Sequence, residues 1–206
     1  MAYFSPIIDV FIFSFFVIMV INIFYKLLLD QHQVKQSRER MKEMNEKIKE
    51  EQKKGNTEKV NKLLGELMSE NGKIMRMSLK PMVVSFIIVI LALPWIAGIY
   101  GDREVKLNDG KGELNIDGSV YQVQKTEGGV EISGYGNIET PKNGVALNGY
   151  KWNIAMNGNE VKFSRIIAYL PFALPFVGSD LGWLGWYFLS ALLFMVVTRK
   201  LLKVYV

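Results

Sequence analysis

The residues of this 206-residue chain that could do chemistry are neutral polar groups inside apolar runs, a cluster of methionines and clustered lysines. None of them points to covalent catalysis. With no cysteine and one histidine, the chain offers no thiolate nucleophile, no disulfide framework and no ordinary histidine-based metal site or triad. Nothing pairs an activated nucleophile with a base, and no Asp-rich loop has the spacing of a calcium site. We expect a protein that is not an enzyme and that uses no metal and no cofactor.

The neutral groups are Ser14, Asn22, Ser85, Ser190 and Thr198. Each sits in an apolar run where a polar side chain seeks a partner. Interhelical hydrogen bonding is the usual use, and a shallow hydrated groove is the sharper one. The methionines are Met68, Met75, Met77 and Met82. Flexible and polarizable, they could mould to differing apolar partners, or simply fill gaps between helices. Lys53, Lys54, Lys59 and Lys62 gather near a Gly-Asn turn and could meet RNA phosphates, an attraction that needs only clustered charge. Glu46, Glu50, Glu51 and Glu58 dilute that patch, so a solvated spacer is its plainer reading.

Three charge-free runs must position these groups: Val10 to Tyr25, Met82 to Tyr100 and Leu181 to Thr198. A helix needs roughly 17 to 25 largely apolar residues to cross a bilayer, so three spans are expected. No span carries a charge at mid-depth, which argues against an ion pump, voltage sensor or proton relay. The first run lacks the basic leader and small-residue cleavage site of a signal peptide and is expected to be retained. From Lys26 to Lys80 the chain has 14 basic and 9 acidic residues, against 8 and 9 from Gly101 to Arg165. By the positive-inside rule the first block is cytoplasmic, together with the basic groups Lys26, Arg76, Lys80, Arg199 and Lys200 at the ends of the spans. The N-terminus is then outside and the C-terminus inside, in a multi-pass protein of the plasma membrane.

Within the cytoplasmic block, Val34, Met41, Met44 and Ile48, then Val60, Leu63, Leu64, Leu67 and Met68, fall at helical spacing. Lys53-Lys54-Gly55-Asn56-Thr57 interrupts them, and Asn56 or Thr57 can cap the next helix. An antiparallel helical hairpin, a coiled coil projecting about 25 to 35 Å, is expected. Ser37 and Glu51 at core positions should leave it loose. Pro94 should kink the second span.

Beyond Tyr100 the period changes to two. Seven alternating segments lie between Glu104 and Phe163, punctuated by Asp109-Gly110, Asp117-Gly118, Asn143-Gly144, Asn148-Gly149 and Asn157-Gly158. About six to eight short strands should form a small all-β sandwich or barrel outside the membrane. Tyr121, Tyr135, Tyr150 and Trp152 could bind a ligand as in a lectin, although core packing is the commoner use of such aromatics. The Ile166 to Val177 segment, with Pro171 and Pro175, is too short and broken to span and reads as an interfacial loop or half-inserted hairpin. The expected division is thus 1–29, N-terminal region and first span; 30–80, hairpin and Met-rich approach; 81–100, second span; 101–165, β domain; 166–180, interfacial Pro-containing loop; 181–206, third span and basic tail. The fold class is membrane α-helical with a small all-β insertion.

The approach Met75-Arg-Met-Ser-Leu-Lys-Pro-Met82, the entry Leu181-Gly-Trp-Leu-Gly-Trp-Tyr187 and the exit Arg199-Lys-Leu-Leu202 resemble the archaeal YidC-like membrane proteins of the Oxa superfamily. Relatives of that family include hairpin-bearing subunits of the ER membrane protein complex and of the guided-entry pathway. The resemblance covers about residues 1 to 100 and 166 to 206 and leaves the β segment unaccounted for. It implies an insertase or chaperone that helps nascent or tail-anchored helices enter the bilayer. The groove would hold a polar client flank and the methionines its apolar part. Implied partners are those clients and the lipid bilayer, with a ribosome or targeting factor at the hairpin, an additional small membrane subunit, and no DNA. The bacterial relatives' groove arginine has no counterpart within a span, leaving Lys26, Arg76 and Lys80 at the mouth. A receptor or scaffold, with the β unit binding a ligand and the hairpin an adaptor, is the alternative from another class.

Overall fold

The computed structural model describes residues 4–174 and 178–205. Among these residues four helices and ten strands follow in chain order: α1 (Pro6–Leu28), α2 (Gln31–Lys53), α3 (Thr57–Tyr100), β1 (Arg103–Lys106), β2 (Lys111–Ile116), β3 (Ser119–Thr126), β4 (Gly129–Ile132), β5 (Gly136–Glu139), β6 (Lys142–Leu147), β7 (Tyr150–Asn157), β8 (Glu160–Arg165), β9 (Ala168–Leu174), β10 (Gly178–Leu181) and α4 (Trp183–Leu202). Among the described residues three helices, α1, α3 and α4, are long and apolar enough to cross a membrane. At 1.5 Å per residue, α1 and α4 measure about 34 and 30 Å, close to the ~30 Å hydrocarbon thickness. α3, at 44 residues, exceeds what a bilayer needs. It continues through Asn71-Gly72, Pro81 and Pro94, none of which ends it.

The chain forms two compact units. One gathers the residues up to Phe13 with Leu93–Ser190; the other gathers Ser14–Ala92 with the chain from Ala191 onward.

In the first unit, eight strands close over one apolar core. The two sheets are ordered β1-β8-β7-β6 and β2-β3-β4-β5, and every strand pairing is antiparallel. Alternation sends Val105, Leu114, Ile116, Val123, Val130, Ile132, Ile154, Val161 and Phe163 inward. Tight turns at Asp109-Gly110, Asp117-Gly118 and Asn148-Gly149 have positive φ at both residues, as two-residue hairpins require. Asn143-Gly144 is different. It lies inside β6 where the register with β7 shifts, and the Gly144 N–H is satisfied by Asn153 Oδ1. β5 has only Ile138 as an inward apolar residue, which explains why its period escapes a sequence reading.

Within the segment expected as an interfacial loop or half-inserted hairpin, β9 and β10 pair as a two-stranded antiparallel ribbon, with Ala168 opposite Leu181 at its base. Pro175 lies outside the described residues. The ends of the helices meet the β unit through one polar chain: the Tyr100 hydroxyl donates to Asp9, and Arg165 donates to Asp117 at 3.0 Å. The Arg165 guanidinium is buried over the Tyr150, Trp152 and Tyr100 rings, at 3.8, 4.9 and 6.0 Å from their centroids. Trp152 is a core residue whose Nε1 donates to Leu147 O, and Tyr150 is engaged by Arg165, so neither is a free ligand platform.

In the second unit, Asp30 caps α2 by accepting from the His32 and Gln33 N–H groups, and Asn56 caps α3 by accepting from Lys59 N. Buried or half-buried positions on α3 recur at Val60, Leu63, Leu67, Glu70, Ile74, Met77 and Pro81, alternating steps of three and four. α2 repeats the spacing with Val34, Ser37, Met41, Met44, Ile48 and Glu51. The two polar positions expected to weaken this seam are satisfied. Ser37 Oγ donates to Glu70 Oε2 at 3.0 Å, and Glu51 meets Lys54 and Lys59 at 2.9 and 3.8 Å. After α4, Lys203 at φ 52 turns the chain, and Tyr205 N donates to Gln31 Oε1.

Candidate functional site

Helical spacing sorts the four methionines into two groups. Met77 shares the seam face with Glu70 and Ile74 and is half-buried. Met68, Met75 and Met82 are seven residues apart, and seven residues bring a helix nearly two full turns, within about 20° of the same direction. They are 73%, 70% and 61% exposed. Leu64, Leu79, Phe86 and Ile90 fall on the same face and are also exposed. A largely apolar stripe therefore runs along α3 from Leu64 to Ile90, interrupted between Met68 and Met75 by the exposed Asn71 and by Gly72.

Its extent separates it from an ordinary lipid-facing surface. A span ending at Tyr100 needs about 20 residues and so begins near Pro81. Met75 then lies about 9 Å and Met68 about 20 Å before the hydrocarbon boundary. Lipid accounts for Met82, Phe86 and Ile90. It does not account for Leu64, Met68, Met75 and Leu79. Arg76 and Lys80 are exposed on this same stretch, away from the stripe.

The neutral polar groups have a different geometry. Asn22 Nδ2 donates to Thr198 Oγ1 at 2.6 Å, and Thr198 donates back to Phe194 O of its own helix. Asn22 and Thr198 are only 1% and 3% exposed. This is interhelical bonding between α1 and α4, helped by the edge-on packing of Phe15 with Phe194, and not an open furrow. Ser85 Oγ donates to Pro81 O four residues back, so its hydroxyl is spent on α3 itself. Ser14 and Ser190 are buried, and the Ser190 hydroxyl has no hydrogen-bond partner among the described residues.

Lys26, Arg76, Lys80 and Lys200 are exposed, while Arg199 is half-buried. Of the lysines near the turn, Lys54 and Lys59 are engaged with Glu51, which raises the Lys54 pKa through that hydrogen bond and charge. Lys53 and Lys62 are exposed on either side. Two features have no counterpart in a reading of residue types: the seven-residue spacing that separates Met77 from the other methionines, and the placement of Leu79 beside them. The spacing was present in the numbering all along; what turns it into a surface is the continuity of α3 past Asn71-Gly72.

The chain matches the family described as integral membrane protein EMC3/TMCO1-like over residues 1–108, from α1 through β1. That family is part of the Oxa1/YidC/Alb3 insertase superfamily. No curated protein and no solved structure matches.

Proposed function

The chain belongs to the integral membrane protein EMC3/TMCO1-like family, and from that premise we propose that it helps nascent or tail-anchored helices enter the bilayer. One observation carries the reading: on the unbroken helix α3 the exposed apolar face extends past the hydrocarbon boundary, with Asn71 as its polar interruption. An apolar helix held in water costs about 25 cal/mol per Å² of apolar surface exposed, and most where it has no apolar surface to touch. A rail of Leu64, Met68, Met75 and Leu79 leading into Met82 and Phe86 lowers that cost stepwise. Unbranched methionines suit clients of differing shape.

In this reading the helix pair α2 and α3 is the cytoplasmic coiled coil, with the N-terminus outside and the β unit on the far side. The basic groups Lys26, Arg76, Lys80, Arg199 and Lys200 sit at the membrane mouth, where they attract anionic headgroups and acidic client flanks. Lys53 and Lys62 are the lysines near the turn best placed for a ribosome or targeting factor. A groove for the polar flank of a client requires the Asn22–Thr198 pair to part, so it forms only in a working state. No catalytic residue and no cofactor takes part.

Photo-crosslinkers at Met68, Met75 and Met77 test the proposal in a reconstituted insertion reaction. Client adducts are expected at Met68 and Met75 and not at Met77. Equal labelling at all three, or at none, rules out the rail. Removing Asp102 to Phe163 separates this function from the receptor alternative: an insertase keeps most activity, and a receptor loses it.

A further inference from the structure

We propose that the β9–β10 ribbon is a lipid-binding wedge that lies in the interface of the leaflet where α4 begins. Pro171, Phe172 and Ala173 are consecutive and all exposed, so both faces of β9 are bare there, while Ala168 and Leu181 at the base are buried. Tyr169 and Phe172 are 54% and 62% exposed. A two-stranded ribbon whose outer part has no covered face is marginal in water, so something must cover that part.

Its place in the chain identifies the cover. Ala168 pairs with Leu181, and α4 starts two residues later at Trp183. Because α4 is only about as long as the hydrocarbon is thick, its first residues lie at the boundary. Phe172 is four residues along β9 from Ala168, at most about 13 Å from that boundary. No charged residue occurs from Ile166 through Ser179; the ribbon's one charge among the described residues, Asp180, is half-buried opposite Tyr169 near the base, where Lys151 Nζ stands 5.2 Å from the Tyr169 ring centroid. That arrangement places a cation and an aromatic ring at headgroup depth with apolar residues beyond them. Depth is limited from the other side as well. The ribbon's outer edges carry unpaired backbone groups, each costing several kcal/mol in hydrocarbon, so the wedge stops at the interface and does not span.

The cysteine-free sequence allows a direct test. Phe172→Cys and, separately, Tyr169→Cys are spin-labelled in the full-length protein, in client-free nanodiscs of phosphatidylcholine and phosphatidylglycerol. Val120→Cys, exposed on β3, serves as the aqueous control. The ratio of collision rates with oxygen and with a water-soluble nickel chelate is expected to be several-fold higher at both ribbon positions than at residue 120. A ratio equal to the control at both positions overturns the wedge. So does protection from both reagents, which marks a protein contact, and so does a rise that appears only when client is added, which assigns the ribbon to client binding.

Discussion

Asn22 and Thr198 stand 176 residues apart in the chain and share a 2.6 Å hydrogen bond that is sealed from solvent. In a membrane such a bond acts as glue between helices, with a measured range of about 0.6 to 2 kcal/mol. Asn22→Leu and Thr198→Val are each expected to destabilise the protein by about that amount, with the double variant costing less than the sum. Thermal unfolding in detergent measures this. If a client groove forms by parting the pair, Asn22→Leu combined with Ser85→Leu also slows insertion into liposomes. Loss of stability with undiminished insertion would leave the bond a purely structural one.

Met75 and Met77 differ by two residues and by nearly opposite directions on α3. Met77→Ala is expected to lower stability by about 1 kcal/mol, since a half-buried side chain loses part of the full burial cost. Met75→Ala should fall within about 0.5 kcal/mol of the parent, as surface changes do. Insertion should respond in the reverse order, with Met75→Lys slowing it more than Met77→Ala. Paired melting and insertion measurements on the same preparations check both halves.

Glu70 has its carboxyl held below the usual range by Lys73, with further help from the Ser37 hydroxyl and Arg40. A carboxylate depressed in the folded state stabilises it fully above the unfolded value of 4.5, and that contribution disappears as pH falls through the folded value. The α2–α3 pair should therefore loosen on acidification below about pH 4.5. Spin labels at Lys42→Cys and Lys62→Cys are expected to show a broadened distance distribution there. Glu70→Gln should remove this pH dependence while leaving the pair weaker at neutral pH.

Gly129 opens β4 against β5, and a Cβ there would collide with the Ile138 carbonyl oxygen and lie 2.9 Å from Glu139 Cα. Both obstacles are backbone and cannot swing away. Gly129→Ala is expected to cost about 1 to 3 kcal/mol as the strands separate. Faster protease cleavage within the β unit, with the apolar helices still protected in detergent, is the expected readout.

Much of this protein was legible from local pattern. Charge-free runs of bilayer length locate α1, the apolar part of α3 and α4, because solvation of a charge in lipid is too costly for composition to hide. The period-two segments and the turns at Asp109-Gly110, Asp117-Gly118 and Asn148-Gly149 locate most of the β unit, because positive φ at both turn residues restricts the choice of side chain; at Asn143-Gly144 and Asn157-Gly158 only the glycine has positive φ. Polar residues at Ser37 and Glu51 mark a seam that needs side-chain partners. Lys54 meets Glu51 from three residues along, as spacing allows, whereas Glu70 and Lys59 reach Ser37 and Glu51 only once the helices lie side by side.

Tertiary structure decided the rest wherever a side chain's role depends on what faces it. Asn22 and Thr198 bond each other, a choice between glue and groove that depends on contact across 176 residues. Trp152 packs inward and Tyr150 receives Arg165, since the alternating pattern cannot say which face of a half-buried strand an aromatic will occupy. The Ile166 to Val177 segment holds two prolines and no alternation, yet residues 168–174 and 178–181 pair, because backbone hydrogen bonding between strands is indifferent to side-chain periodicity. Hydrophobicity sets where the chain can go; packing sets what each residue does once it is there.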